Sequence, residues 1–230
     1  MKVNVKDVMT TRVIWVKKDT PFRELAVALR EHRVSAFPVL DEDMKVVGVV
    51  SEADMLAKVA LHNGQDEMPG MITGILRHKQ LEKARGITAG DLMTAPPVTV
   101  FPDDSIEHAA RLMYLRGVKR LPVTDADCHL AGIISRADVL AVFDRTDHQI
   151  RQDVMADMAR NGLLAGHDTV KVAVKDGVVT LTGVAGPGAI GHETMRRIRH
   201  IQGVVAVRDR LSYLPPGPAD FDALASFPID

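Results

Sequence analysis

The residues best suited to chemistry are a serine and an aspartate three positions apart, Ser51 and Asp54, which follow the apolar run Val46–Val50. The same pair returns as Ser135 and Asp138. An apolar run followed by this pair predicts a buried strand that leads into a helix. The first turn of a helix has unpaired backbone N–H groups that attract a phosphate, and a serine hydroxyl adds a donor. An aspartate can accept hydrogen bonds from a ribose diol. The spacing therefore indicates a ribonucleotide site.

A second interpretation of these residues is structural. Ser-x-x-Asp is close to a capping box, in which both side chains satisfy N–H groups of the first helical turn. For a single copy, capping is the simpler interpretation. Two copies in equivalent positions favour ligand binding, although the same atoms can cap the helix when no ligand is bound.

The elements that must position these pairs also occur twice. Residues 7–57 and 91–141 align without a gap, and 17 of the 51 aligned positions are identical. Each copy begins with Asp-hydrophobic-Met-Thr and predicts the order β-α-β-β-α, with the first strand at 13–16 or 98–100. The first helix begins around Pro21 in one copy and after Ser105 in the other. This is an internal duplication. Between the copies, we predict an insertion over 63–88 with a helix at about 75–85.

A different pattern begins after residue 145. We expect Asp147 to cap a helix that stops near Gly162, and Asp176-Gly177 to turn a hairpin of strands 170–175 and 178–182, which Gly183 ends. A helix at about 189–201 and a strand at 204–211 complete the order α-β-β-α-β. The Pro-rich residues 215–230 are predicted to be extended.

Composition excludes several classes of function. The net charge is -1, so bulk charge predicts no nucleic-acid partner. A single cysteine, Cys128, excludes an internal disulfide. No stretch approaches the roughly 18 apolar residues of a membrane span, and we expect a cytoplasmic protein. The histidine spacing predicts no metal site.

The duplicated unit resembles the CBS domain, of which two tandem copies form a Bateman module. This resemblance rests on Asp7-Val8-Met9-Thr10, Pro38-Val39 and Gly48-Val49-Val50-Ser51 with Asp54, and on their counterparts in the second copy. The smaller unit resembles a BON domain through 176–183 and Gly203-Val204-Val205. We therefore expect an α/β (α+β) fold with a pseudo-symmetric Bateman module. The expected boundaries are 1–62 for CBS repeat 1, 63–88 for the insertion, 89–145 for CBS repeat 2, 146–214 for the BON-like domain and 215–230 for the tail.

The CBS resemblance implies two clefts that bind adenine-containing ligands, such as AMP, ADP, ATP or NAD, without a metal. It places Ser51 and Asp54 in one cleft and Ser135 and Asp138 in the other. Strand starts that contain a proline can turn backbone groups toward an adenine edge. This argument adds Ala36, Phe37 and Pro38 to the first cleft, and Arg120, Leu121 and Pro122 to the second.

The two copies differ in charge. The second carries Lys119, Arg120 and Arg136 where the first carries Ser35, Ala36 and Glu52. We expect phosphate to be better neutralised in the second cleft, and therefore phosphorylated adenosine to bind more tightly there. The alternative is that Lys119 and Arg120 are solvated surface residues.

The BON resemblance implies contact with phospholipid. On the predicted helix 189–201, His192, Arg196 and Arg199 lie opposite the isoleucine stripe and could contact anionic head groups, at about 1 kcal/mol per charge. A solvated polar face is the simpler interpretation.

No catalytic motif is present in the sequence, which lacks a Gly-x-Ser-x-Gly elbow, a Walker-type phosphate loop and a His-Glu-x-x-His motif. We therefore predict a non-enzymatic nucleotide sensor that reports its bound state to a protein partner, and the resemblance implies a homodimer formed through the CBS modules. The alternative is a scaffold or membrane-surface protein whose CBS pair oligomerises without ligand.

Overall fold

The computed structural model describes residues 3–61, 86–161, 169–185 and 188–214. The chain divides into two compact units, one formed by Asn4–Val139 and the other by Leu140–Asp230 with Met1–Val3. The predicted mixed α+β class is confirmed. Within the described residues, no helix is both long and apolar enough to cross a membrane.

The first repeat follows the predicted order of elements. Its elements are a 3-10 helix at Val5–Asp7, β1 at Val16–Lys17, α1 at Phe22–His32, β2 at Ala36–Leu40, β3 at Val46–Ser51 and α2 at Glu52–Leu61. The three strands form a sheet in which β1 is parallel and β3 antiparallel to β2. The predicted strand at 13–16 is shorter and later than expected. Pro21 occupies the N-cap of α1 in an extended conformation, so it precedes the first helical turn.

The second repeat has the same plan apart from its first strand. Its elements are α3 at Ala89–Leu92, α4 at Ile106–Arg116, β4 at Arg120–Thr124, β5 at Leu130–Ser135 and α5 at Arg136–Ala141. Ser105 caps α4, because its hydroxyl accepts the N–H of His108 at 3.2 Å. In place of the strand predicted at 98–100, only Val100 pairs, in a parallel bridge with Val123. The helix predicted at 75–85 lies outside the described residues.

The N-terminal segment of each repeat pairs with the other repeat. Thr10 pairs with Ile133 of the second repeat, and its counterpart Thr94 pairs with Val49 of the first. Asn4 and Pro21 pair with Ser105 and Thr88 in the same reciprocal way. Lys45 pairs with its own counterpart, His129. These contacts relate the repeats by a pseudo-twofold axis that passes near Lys45 and His129, and they place residues of both repeats beside each Ser-x-x-Asp pair.

The smaller unit is a three-stranded sheet covered by two helices. Its elements are α6 at Asp147–Arg160, β6 at Lys171–Lys175, β7 at Val178–Ala185, α7 at Gly188–Arg199 and β8 at Ala206–Tyr213. The strand order is β6-β7-β8, with β6 antiparallel and β8 parallel to β7. One sheet face packs against the helices in a single core. That core contains Ile150, Val154, Met158, Val172, Val179, Leu181, Met195, Ile198 and Val204.

Two predictions for this unit need correction. Thr146, not Asp147, caps α6, because its hydroxyl accepts the N–H of Gln149 at 3.3 Å. Asp147 instead holds the hairpin turn, since its carboxylate accepts the N–H groups of Asp176 and Gly177 at 2.9 and 2.8 Å. β7 also continues past Gly183. This residue has a φ of +118°, which favours glycine, and a Cβ there would collide with the carbonyl oxygen of Thr169.

Candidate ligand-binding cleft

The first Ser-x-x-Asp pair forms a closed hydrogen-bonded unit at the junction of β3 and α2. One carboxylate oxygen of Asp54, Oδ2, accepts both the backbone N–H of Ser51 at 2.9 Å and its hydroxyl at 2.6 Å. Both residues are partly buried. The backbone N–H of Glu52 donates to the carbonyl of Ser35 at 3.0 Å, so one of the N–H groups at this helix start is already paired.

The second pair repeats this geometry between β5 and α5. Oδ2 of Asp138 accepts the N–H and the hydroxyl of Ser135, both at 2.7 Å, and Ser135 Oγ accepts the N–H of Asp138 at 3.3 Å. The N–H of Arg136 donates to the carbonyl of Lys119 at 3.1 Å. The capping arrangement is therefore present in both repeats, and fewer N–H groups are available to an anion than the sequence predicts.

A cavity of about 210 Å³ lies at the first of these pairs and is built from both repeats. The first repeat contributes Ser51, Glu52 and Asp54 from the β3–α2 junction, with Ser35 and Ala36 from the start of β2. The second repeat contributes Thr94, Pro97, Val98, Val118, Lys119 and Arg120. Both repeats line the cavity because the N-terminal segment of the second repeat pairs with the first repeat, and this pairing places Thr94 beside Val49 of β3.

The charges in the lining are segregated by repeat. The first repeat supplies the carboxylates of Glu52 and Asp54, whereas the second supplies the cations Lys119 and Arg120. Hydroxyl groups of Ser51 and Thr94 add hydrogen-bonding capacity, although both already take part in interactions within the protein. The cavity can therefore offer carboxylate hydrogen-bond acceptors from the first repeat and positive charge from the second.

The placement of Lys119 and Arg120 changes the predicted grouping. The sequence assigns them to the cleft of Ser135 and Asp138, but both line the cavity of Ser51 and Asp54. Arg120 is also a backbone neighbour of Ser135, because these residues pair between β4 and β5. The additional positive charge of the second repeat therefore also reaches the cavity at the Ser51–Asp54 pair of the first repeat.

The other predicted residues fall into two groups. Ala36 lines the cavity, whereas Phe37, Pro38, Leu121 and Pro122 are buried within β2 and β4 and are not among its lining residues. Arg136 is exposed, and its Nε donates to the carbonyl of Val118 at 3.1 Å. The Arg136 side chain therefore contacts a residue of its own repeat, and Arg136 is not among the residues that line the cavity.

Sequence reasoning missed the contribution of Thr94, Pro97, Val98 and Val118. The sequence signal for Thr94 was the Met-Thr dipeptide that occurs in both copies, as Met9-Thr10 and Met93-Thr94. Its presence in both copies indicates that each dipeptide contacts an equivalent part of the structure. Without the strand pairing, nothing shows that this part belongs to the opposite repeat.

The cationic helix face predicted in the smaller unit is partly neutralised. Arg196 lies 2.9 Å from Glu193, while Arg199 is exposed. The side chain of His192 lies outside the described residues. Within the described ranges, no group of three or more His, Cys, Asp or Glu residues is arranged to hold a metal ion.

Comparison with known protein families gives two matches. The CBS domain model matches residues 5–61 and 89–145, and the BON domain model matches residues 146–215. CBS domains are generally regulatory, and neither match indicates an enzyme family. Among curated relatives, CBS domain-containing protein CBSX1 of Arabidopsis thaliana chloroplasts is 36% identical over 133 residues, which cover 54% of this chain and 56% of that protein. The chain thus spans little more than half of this relative.

Two further relatives extend the comparison. An uncharacterized protein of Methanocaldococcus jannaschii is 30% identical over 149 residues, which cover 59% of this chain and 88% of that protein. The solved structure of CBSX2 from Arabidopsis thaliana in complex with AMP is 37% identical, covers 60% of this chain and 93% of that chain, and superposes with a TM-score of 0.52. The chain belongs to the CBS-domain proteins and carries two CBS domains followed by a BON domain.

Proposed function

We propose that the protein is a non-enzymatic regulator that binds an adenine nucleotide of the AMP, ADP, ATP or NAD class in the cavity between its CBS repeats. The observation that carries this proposal is the convergence of Ser51 and Asp54 with Lys119 and Arg120 on one cavity. Carboxylate oxygens suit a ribose diol, and Lys and Arg side chains suit a phosphate. The apolar lining residues Val98 and Val118 suit a base.

The hydrogen bonds between Ser51 and Asp54 hold the Asp54 carboxylate in one orientation before a ligand binds. Asp54 Oδ2 already accepts two hydrogen bonds from Ser51, so a ribose would add to a carboxylate whose orientation is fixed. A preorganised group loses less conformational entropy on binding. The phosphate would lie toward Lys119 and Arg120 rather than at the N-terminus of α2, where the N–H of Glu52 is paired and its carboxylate repels anions.

The relatives support the ligand class. CBSX2, at 37% identity over nearly its whole solved chain, was crystallised with AMP. The CBS pair of MJ0100, solved with 5′-methylthioadenosine and S-adenosylmethionine, is 22% identical and therefore supports only the fold.

Regulation would follow from the composition of the cavity. A ligand that contacts both repeats stabilises the arrangement in which its contacts are best formed, and the equilibrium shifts only as far as the difference in affinity allows. We propose that this shift is transmitted to a protein partner, with the BON domain as one route, and that the protein acts in the cytoplasm.

A thermal-shift panel tests the ligand class. A ligand that binds only the folded state raises the melting temperature, by an amount that grows with its concentration over its Kd. We expect AMP, ADP, ATP or NAD to raise it at millimolar concentration, with GMP as a control for the base and ribose 5-phosphate for the sugar phosphate. The proposal fails if no adenine compound stabilises the protein, or if GMP stabilises it equally.

The second candidate function is a ligand-free oligomerisation platform. Exposed apolar side chains favour it, because Leu56 and Val59 on α2 and Tyr114 and Leu115 on α4 are 66, 67, 85 and 68% exposed. Contact with a second copy would cover such residues in a homodimer. Sedimentation of Leu56→Asp and Tyr114→Asp variants tests this association, and a wild-type monomer at tens of micromolar would exclude it.

Weak phospholipid contact through His192, Arg196 and Arg199 belongs to this second candidate. The ion pair between Arg196 and Glu193 reduces the charge available to a membrane. Co-sedimentation of an Arg199→Glu variant with anionic vesicles checks the contribution of this helix.

A further inference from the structure

The sheet of the BON domain has an open face that is strongly basic. The core packs on one side of the sheet, through Val172, Val179 and Leu181. Because side chains alternate along a strand, the residues that alternate with these core residues lie on the opposite face. We call this the open sheet face, and it comprises Lys171, Ala173, Lys175, Val178, Thr180, Thr182, Ala206, Arg208 and Arg210.

The strand register arranges these residues in rows. Thr182 lies between Lys171 on β6 and Arg210 on β8, and Thr180 lies between Ala173 and Arg208. Two basic outer strands thus flank a central line of threonine hydroxyls. With neighbouring strands about 4.8 Å apart, the backbones of β6 and β8 are separated by about 10 Å across the sheet.

The four cations of the open sheet face are available to a ligand. Lys171, Lys175, Arg208 and Arg210 are all exposed, and within the described ranges none of them forms an ion pair. The face carries no acidic residue, since Asp209 points to the other side, where its carboxylate accepts the Tyr213 hydroxyl. By contrast, Arg145 and Arg197 on the helical side are paired with Asp153 and Asp157.

The composition of the open sheet face distinguishes among polyanions. A membrane-binding surface usually adds large apolar side chains that insert among the lipids, and this face offers only alanine and valine. It also lacks the aromatic residues on which bases stack. What it offers is Lys, Arg and Thr, which are donors to the phosphates of a nucleic-acid backbone. A nucleic acid also carries closely spaced phosphates with condensed counterions. Four cations that neutralise phosphates would release these counterions, and this release favours binding.

We propose that the open sheet face binds the phosphodiester backbone of a nucleic-acid strand without sequence preference. The net charge of -1 conceals this surface, because basic and acidic residues are almost equal in number over the whole chain, whereas this sheet face carries four basic residues and no acidic one. This inference is independent of nucleotide binding in the CBS cavity.

Fluorescence anisotropy of the full chain with a labelled oligodeoxythymidine tests the proposal. Four phosphate contacts predict a slope of log K against log salt of about -3, since each contributes about -0.7 on a single strand. Reversal of either edge, in Arg208→Glu/Arg210→Glu or in Lys171→Glu/Lys175→Glu, should weaken binding at least roughly tenfold and halve the slope. Arg151→Glu, a single charge reversal at an exposed position on α6, is the control for reversal outside the open sheet face and should have little effect.

The two double variants change different strands, so the test remains valid if one of them does not fold. Circular dichroism identifies the variants that fold, and either double variant is sufficient. A labelled oligonucleotide of mixed sequence should bind as tightly as oligodeoxythymidine. The proposal is overturned if the oligonucleotides do not bind at low salt, or if Arg151→Glu weakens binding as much as the edge variants. Equal competition by poly-glutamate of matched charge would also overturn it, as would edge-dependent binding to phosphatidylglycerol vesicles without oligonucleotide binding.

Discussion

The Met93 side chain, at the beginning of the second CBS repeat, packs directly over Gly48 in the last strand of the first repeat, so that a methyl group on Gly48 would overlap the Met93 sulfur. Met9 and Gly132 form the reciprocal contact, in which a methyl group on Gly132 would lie 2.6 Å from the sulfur. The Met and the Gly of the repeated motifs therefore form two equivalent contacts that interlock the repeats.

This interlock predicts that Gly48→Ala destabilises the CBS pair. Overpacking of a tight contact costs about 1 to 3 kcal/mol, and we expect a loss of that size in the free energy of unfolding by urea. The double variant Gly48→Ala/Met93→Ala should recover part of the loss, because the second change removes the overlapping atoms. Strictly additive losses would show that the two residues do not interact.

Asp147 is predicted to stabilise the hairpin of the BON domain. Its carboxylate accepts two N–H groups from the Asp176-Gly177 turn, and Asp147→Ala should cost about 2 kcal/mol, since hydrogen bonds to a charged group are stronger than neutral ones. Amide hydrogen exchange at Gly177 should accelerate. His148→Ala, at an exposed neighbouring position, should leave that exchange rate unchanged. Equal rates in Asp147→Ala and wild type would contradict this assignment.

Asp91 predicts a dependence of stability on pH. Hydrogen bonds from the backbone N–H of Ile87, then from the hydroxyl and N–H of Thr88, lower the pKa of Asp91. A lowered pKa stabilises the fold above the pKa of the unfolded chain, and this contribution is lost as the pH falls below about 4. Because Asp91 is exposed to solvent, we expect Asp91→Asn to cost on the order of 1 kcal/mol at pH 7.

The Asp91→Asn effect should disappear in acid. Urea unfolding at pH 7 and at about pH 2.5 measures the difference, with Asp19→Asn, an exposed carboxylate in the first repeat, as the control. A destabilisation of Asp91→Asn that is the same at both pH values would show that its charge is not responsible.

Periodicity and turn residues predicted most of the fold. The alternation and the Asp176-Gly177 turn identified the hairpin, and the ungapped duplication identified the two repeats. One error occurred where a side chain has two possible partners. Asp147 has the residue type of a helix cap but bonds to the hairpin, while Thr146 caps the helix.

The site was predicted less completely than the fold. The Ser-x-x-Asp pairs have the predicted local geometry, because it depends on residues close in sequence. The pairing of Thr94 with Val49 joins distant segments across the pseudo-twofold axis, and no local pattern encodes it. For this reason the sequence assigned Lys119 and Arg120 only to the cleft of Ser135 and Asp138, whereas the structure also places them in the lining of the cavity at Ser51 and Asp54.

Isothermal titration of AMP into wild type, Asp54→Ala and Asp138→Ala tests the central claim most directly. The cavity at Ser51 and Asp54 predicts a loss of roughly tenfold or more in affinity for Asp54→Ala, corresponding to at least about 1.4 kcal/mol, and a smaller change for Asp138→Ala. Lys119→Ala should weaken the binding of AMP more than that of adenosine, because it removes a positive charge that a phosphate would use and adenosine would not. No binding by wild type, or unchanged affinity in Asp54→Ala, would contradict nucleotide binding in this cavity.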